Sequence, residues 1–273
     1  MARQIRPMTR VDLEMAISWA AAEGWNPGRK DADAFHGTDP AGFLMAVENG
    51  EPVACISAVR YGATYGFLGF YIAKPEARGR GHGLAVWNAA MEHFGGRTVG
   101  LDGVVDQQPN YARSGFVYAH RNIRNAGAAP SGKPRLPEAT TAELLDYDTQ
   151  FFPADRRTFT TAWLTNDGHV VRSVVDAGRV KGFGVLRPCL QGAKIGPLFA
   201  DDAATAEVIF RALCAEAGPG PIVLDVPETN PEAVNLAEGN GLTAVFETAR
   251  MYKGAAPDLP IAKTFGITTF ELG

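Results

Sequence analysis

One strand, turn and helix pattern occurs twice along this chain, and no other feature restricts its fold so much. Val47-Glu48-Asn49-Gly50-Glu51-Pro52 returns as Val175-Asp176-Ala177-Gly178-Arg179-Val180. Val99-Gly100-Leu101-Asp102 returns as Ile222-Val223-Leu224-Asp225, and Gly115-Phe116 as Gly241-Leu242. The spacing lies far above the roughly 20–50 residues of solenoid repeats, so a whole domain is duplicated. A chain of 273 residues suits two domains of ordinary size, each able to bury its own core. Between the copies, Ala126 to Pro137 is rich in Gly, Pro and Ala without periodicity and reads as a linker. The expected division is residues 1–126 and residues 137–273.

Within the first copy, Thr9 reads as the N-cap of a helix reaching about Gly24, with Asp12 at the capping-box position and Met8 and Leu13 as a hydrophobic staple. Trp25-Asn26-Pro27-Gly28 signals a turn, and a short helix follows around Asp31 to His36. FLMAV, PVACISAVRY and YGFLGFYIA, separated by Gly-containing turns, predict an antiparallel meander. Beyond Gly83, Leu84, Trp87, Met91 and Phe94 share one face of a helix closed by Gly95-Gly96. A strand at TVGLDGVV and a short helix complete a β-α-α-β-β-β-α-β-α order. At the far end, Phe265 to Gly273 reads as one more apolar strand.

Composition narrows the functional classes. A net charge of -4 offers no clustered cation to neutralise phosphates, which argues against a nucleic-acid partner. Cys55, Cys189 and Cys214 form no C-x-x-C pair and read as buried thiols, and His36, His93, His120 and His169 lie in no metal-ligand spacing, so no metal is expected. No run of the roughly 20 apolar residues needed to span a bilayer occurs, and the start of the chain lacks a signal-peptide core. A cytoplasmic protein with no membrane partner is expected; oligomeric state is left open.

The most informative segment is Pro75-Glu76-Ala77-Arg78-Gly79-Arg80-Gly81-His82-Gly83-Leu84, a glycine-rich turn between a strand and an amphipathic helix. Glycines let the backbone approach a ligand, and the N–H groups at the helix start make an anion cradle suited to a pyrophosphate. There is no G-K-[ST] ending, and Gly79-x-Gly81-x-x-Leu84 fails the third position of a dinucleotide fingerprint. Arg78-x-x-Gly81-x-Gly83 instead resembles the acetyl-CoA signature of the GNAT superfamily. The strand before it, the helix after it and Tyr111-x-x-x-Gly115-Phe116 downstream agree with that pattern. The whole chain is similar to bacterial GNAT proteins with a second, GNAT-like domain, on segments such as GWNPG, YGFLGFYI, QPNYARSGF and FETARMY.

That resemblance implies an α+β fold, tandem GNAT domains each with a mixed, mostly antiparallel sheet flanked by helices. It implies an acetyl-CoA-dependent N-acetyltransferase acting on a primary amine of a small molecule. By the same resemblance the donor lies on Arg78, Gly79, Arg80, Gly81, His82 and Gly83, with pantetheine along Tyr71, Ile72 and Ala73. Arg78 and Arg80 stand equally as phosphate partners and as solvated surface arginines. Tyr111 is placed as general acid to the departing thiolate, against the alternative of a core tyrosine. No carboxylate lies on Gly66 to Ala73, so the general base is unassigned, with Asp102 and Asp106 as candidates and a structural role open for both. Trp25 and Asp31 or Asp33 fall where the family lines the acceptor pocket; a packed tryptophan and helix-capping aspartates are the competing reading.

The second copy lacks the chemistry. Ala200-Asp201-Asp202-Ala203-Ala204-Thr205 stands where the glycine turn should be, and Ala237 where the phenol should be, although Asn230-x-x-Ala233 keeps a family-like cap. A protein lysine or N-terminal acetyltransferase and a non-catalytic acyl-CoA-binding regulator remain as rival readings.

Overall fold

The computed structural model describes residues 3–132, 136 and 139–273. The first half runs β1 (Arg3–Pro7), α1 (Arg10–Ala22), α2 (Asp31–His36), β2 (Phe43–Glu48), β3 (Glu51–Tyr61), β4 (Tyr65–Ala73), α3 (His82–Phe94), β5 (Thr98–Val104), α4 (Gln108–Arg113) and β6 (Val117–Ala128). The second half follows with α5 (Thr141–Asp148), α6 (Arg157–Leu164), β7 (Val170–Asp176), β8 (Arg179–Pro188), β9 (Ala193–Ala200), α7 (Ala203–Cys214), β10 (Pro221–Pro227), α8 (Pro231–Gly239), β11 (Thr243–Lys253) and β12 (Thr264–Gly266).

Local chemistry accounts for several boundaries. Thr9 accepts from the Asp12 N–H while the Asp12 carboxylate accepts from the Thr9 N–H, closing the capping box that starts α1. Arg6 pairs with that carboxylate, which is held well below the usual range by this partner despite partial burial. The helix ends at Ala22, two residues short of the expected stop. Of the expected linker, residues 126–128 still belong to β6, and residues 133–135 and 137 lie outside the described set.

All the strands join one twelve-stranded sheet in the order β1-β2-β3-β4-β5-β11-β6-β10-β9-β8-β7, with β12 on β9. The two halves have therefore exchanged strands. β11 of the second half lies between β5 and β6, while β6 of the first half pairs antiparallel with β10. A repeated pattern predicts which strands each half forms but not whose edge the last one joins, because both edges offer the same ladder.

The core follows the same logic. Along β2 and β3, Met45 and Cys55 face one cluster while Leu44, Ala46, Ala54 and Ile56 face another, the alternation of a strand covered on both sides. One cluster lies under α3 and one under α7. The third is shared: Phe35 of α2 stacks on Trp163 of α6 with centroids 5.9 Å apart, and Phe152 packs edge-on against Tyr61 and Tyr65. Each half thus buries a cluster of its own, and the third joins them. Among the described residues no helix is long and apolar enough to cross a membrane.

Two histidines, His120 buried and His169 half-buried, make the fold acid-sensitive. Burial, reinforced by Arg250, pushes the His120 imidazole down to about 4; burial, reinforced by Arg187, does the same to His169, again to about 4. The unfolded chain takes up these protons near pH 6.5 and the folded chain only near 4, so stability is complete above 6.5 and is lost as pH falls through that window. Urea unfolding at pH 7 and pH 4.5 is expected to differ by roughly 3 kcal/mol or more. Combining His120→Gln with His169→Gln should flatten the dependence.

Candidate active site

β4 and β5 run parallel and hydrogen-bonded only over Tyr65–Leu68 against Thr98–Leu101. Beyond Leu68 they part. Phe70 marks the break: its φ is +46, a conformation costly for a bulky side chain, and the pairing of β4 with β3 is irregular at the same point. From Gly69 to Ala73 the edge facing β5 has no partner strand; the Phe70 and Ala73 carbonyls accept from Cys55 Sγ and Arg78 Nε, and the remaining backbone groups of that edge are left for a ligand. The gap opens into a cavity of about 730 Å³.

At one end of this cavity lies the glycine turn. Gly79 and Gly81 have φ of +75 and +79, which side-chain-bearing residues rarely adopt. Gly81 is the N-cap of α3, and no side chain caps that helix, so the first N–H groups of the helix remain available to an anion. Tyr71 lies across the turn, its hydroxyl 3.0 Å from where a Cβ on Gly83 would stand. In the second half the corresponding helix, α7, is capped by its own Asp202 carboxylate, which accepts from the Thr205 N–H at 2.8 Å. A fixed negative charge thus fills the place an anion would need.

The expected site residues separate into two groups. Tyr71, Ile72, Ala73, Arg78, Gly79, Gly81, His82, Gly83, Trp25, Asp102, Asp106 and Tyr111 all line the cavity. Arg80 does not; its side chain pairs with Glu48 at the surface, and its carbonyl accepts from Arg3. Arg78 borders the cavity but is tied to Glu23 and to the Ala73 carbonyl. His82 is buried, accepting at Nδ1 from Arg3 at 3.1 Å. Tyr111 stacks on Trp87 at 5.7 Å and fits against Gly103, where a Cβ would meet its ring at 2.1 Å. Burial raises its phenol above the ordinary range.

Two assignments are corrected. Asp31 was placed on the acceptor, but its buried carboxylate accepts from the Gly28 N–H at 2.8 Å and pairs with Arg187 of β8, away from the cavity. Neighbouring Asp33 is exposed and pairs with Arg10. Asp102 was placed as a proton acceptor, but its fully buried carboxylate takes a bidentate pair from Arg250 at 2.8 and 2.6 Å and a third bond from Asn122 at 2.7 Å. It anchors the exchanged strand. Trp25, by contrast, stands in the cavity wall, its carbonyl held by Arg124 Nη1 at 2.8 Å.

A second half that helps to close the pocket fits its loss of the glycine turn, but none of the residues it contributes to the opposite wall was singled out from the sequence. Phe246 and Thr248 of β11, with Phe270 and Glu271 of the segment after β12, line the cavity from the second half. Of the expected final strand, Phe265 to Gly273, only Phe265 and Gly266 are extended, as part of β12; the residues after them are buried between the halves. The signal was present, since Glu271 is the sole charged residue from Phe265 to Gly273.

Comparison with known proteins agrees with this architecture. Residues 11–122 match the model of the acetyltransferase (GNAT) family and residues 144–266 that of an acetyltransferase (GNAT) domain. The holothin acyltransferase of Pseudoalteromonas sp. (strain SANK 73390) is 30% identical over 275 residues, covering 98% of this chain and 94% of that protein. The chain belongs to the GNAT acyltransferase family. A GNAT fold over its whole length is also seen in a Pyrococcus horikoshii protein classed with the acetyltransferases, at TM-score 0.83 and 23% identity, with 99% and 96% of the two chains covered. The tandem GNAT protein from the clavulanic acid biosynthesis pathway aligns at TM-score 0.60 and 16% identity, over 94% of this chain and all of that one (100%). This GNAT protein is thus an acyltransferase of tandem, α+β architecture.

Proposed function

We propose that the protein transfers acetyl from acetyl-CoA to a primary amine of a small molecule, with the donor bound by residues 1–126 and the acceptor enclosed by the second half. One observation carries this reading. A single cavity joins the uncapped glycine turn, the free edge of β4 and Tyr111, and it is walled by the second half. The pyrophosphate would rest on the start of α3 and the thioester along Gly69–Ala73, where backbone N–H groups can polarise its carbonyl. A roofed pocket with Trp25, Phe246 and Phe270 in its walls suits a small acceptor with an apolar body better than a protein chain. The relative's printed substrate, holothin, supports the same class.

Calorimetry is expected to return one acetyl-CoA per chain, because α7 is already capped by Asp202. Gly81→Val forces a β-branched residue to a φ of +79 and should weaken that binding about tenfold or more. A panel of amines with detection of free thiol tests the transfer. Tight donor binding with no thiol release from any amine would favour the regulator, and release with peptides alone the protein acetyltransferase.

A further inference from the structure

The proposed reaction needs a group to take the proton of the acceptor, since a primary amine with a pKa of about 10 is nearly all ammonium at neutral pH. β4 supplies none, and Asp102 is engaged by Arg250 and Asn122. We propose that Glu271, carried into the cavity by the segment after β12, is the general base of this acyltransferase. The assignment rests on the amine-acetyltransferase reading above.

Four observations carry it. Glu271 lines the same cavity as Tyr111 and the free edge of β4. Its position there is fixed: its backbone passes so close to β4 that a Cβ on Gly69 would meet the Glu271 carbonyl oxygen at 2.3 Å, which only glycine avoids. Flanking bonds hold the segment, with Thr269 Oγ1 accepting from the Glu271 and Leu272 N–H groups at 3.2 and 2.9 Å, Tyr61 donating to the Leu272 carbonyl at 2.9 Å and Arg156 to that of Gly273 at 3.2 Å. The carboxyl is the reverse: the residue is 3% exposed, yet Oε2 is buried without a hydrogen-bond partner. A polar group so placed calls for a ligand.

The surroundings suit a base. Burial pushes the Glu271 carboxyl above the ordinary carboxylate range. Lys194 of β9, Arg187 of β8 and Arg124 of β6 pull the other way, while Asp31 of α2 adds to the rise. Tyr71 and Tyr111 border the same cavity. In the reaction Glu271 takes a proton from the ammonium. The freed nitrogen lone pair forms the C–N bond and the C–S bond breaks, its electron pair going to sulfur. Tyr111 gives its proton to the thiolate and regains one from the nitrogen. Glu271 then releases its proton to solvent, so the products are amide, free thiol and one proton.

Glu271→Gln keeps the shape and removes the base. It is expected to lower kcat at pH 7 by about 10²- to 10⁴-fold while leaving acetyl-CoA affinity unchanged, and the deficit should shrink as pH rises toward the acceptor's own pKa. A merely structural role would not produce that convergence. Glu271→Asp, an acid one methylene short, should fall between wild type and E271Q. Undiminished turnover in E271Q, a deficit equal at every pH, or loss of donor affinity in both variants overturns the assignment and leaves the acetyltransferase reading standing. Wild-type protein that acetylates no amine overturns both.

Discussion

Replacing Arg250 with leucine is expected to cost about 3–5 kcal/mol of stability in urea unfolding, because the Asp102 carboxylate would be left charged and unpaired in the middle of the sheet. Arg250 on β11 stands directly opposite Asp102 on β5, and its guanidinium also lies over the Phe67 ring at 5.1 Å. The pair is thus the lock of the exchanged strand. Removing both charges, as Asp102→Leu with Arg250→Leu, should recover most of the loss, since a buried ion pair is often no better than well-packed apolar residues. The same double variant bears on chemistry. Thiol release by folded double variant within a few-fold of wild type is expected if Asp102 only anchors Arg250; loss of turnover with stability restored would return Asp102 to the reaction.

Tyr111→Phe is expected to lower turnover by about 10²- to 10⁴-fold with donor affinity nearly intact. The variant keeps the ring that stacks on Trp87 and fills the space above Gly103, so packing is preserved and only the hydroxyl is lost. The test is kcat by thiol release under conditions where chemistry limits the rate, together with calorimetry of acetyl-CoA. Unchanged kcat would make Tyr111 an ordinary core residue.

What could be read from the sequence was local. The capping box at Thr9 and Asp12, the bounds of α2 and the glycine turn depend on residues a few positions apart, and each formed where its spacing said. What could not be read depends on partners far along the chain. Asp31 meets Arg187, Asp102 meets Arg250, and Glu271 meets Gly69 only because the sheet brings them together. In each case the side chain's type allowed both catalysis and anchoring, and only its neighbours decide which. A charged residue inside an apolar segment, as in Phe270-Glu271-Leu272, is the sequence trace such sites leave.

The exchanged strand also sets a problem during synthesis. β5 and β6 are made early, but the strand that separates them, β11, spans residues 243–253. At about 5–20 residues per second the growing chain holds those two ladders unsatisfied for roughly ten seconds. Throughout that interval the first half presents open strand edges able to pair with each other or with a neighbouring nascent chain. Slowing translation downstream of residue 128 is therefore expected to increase aggregation, measured as the insoluble fraction, without any change in the finished protein.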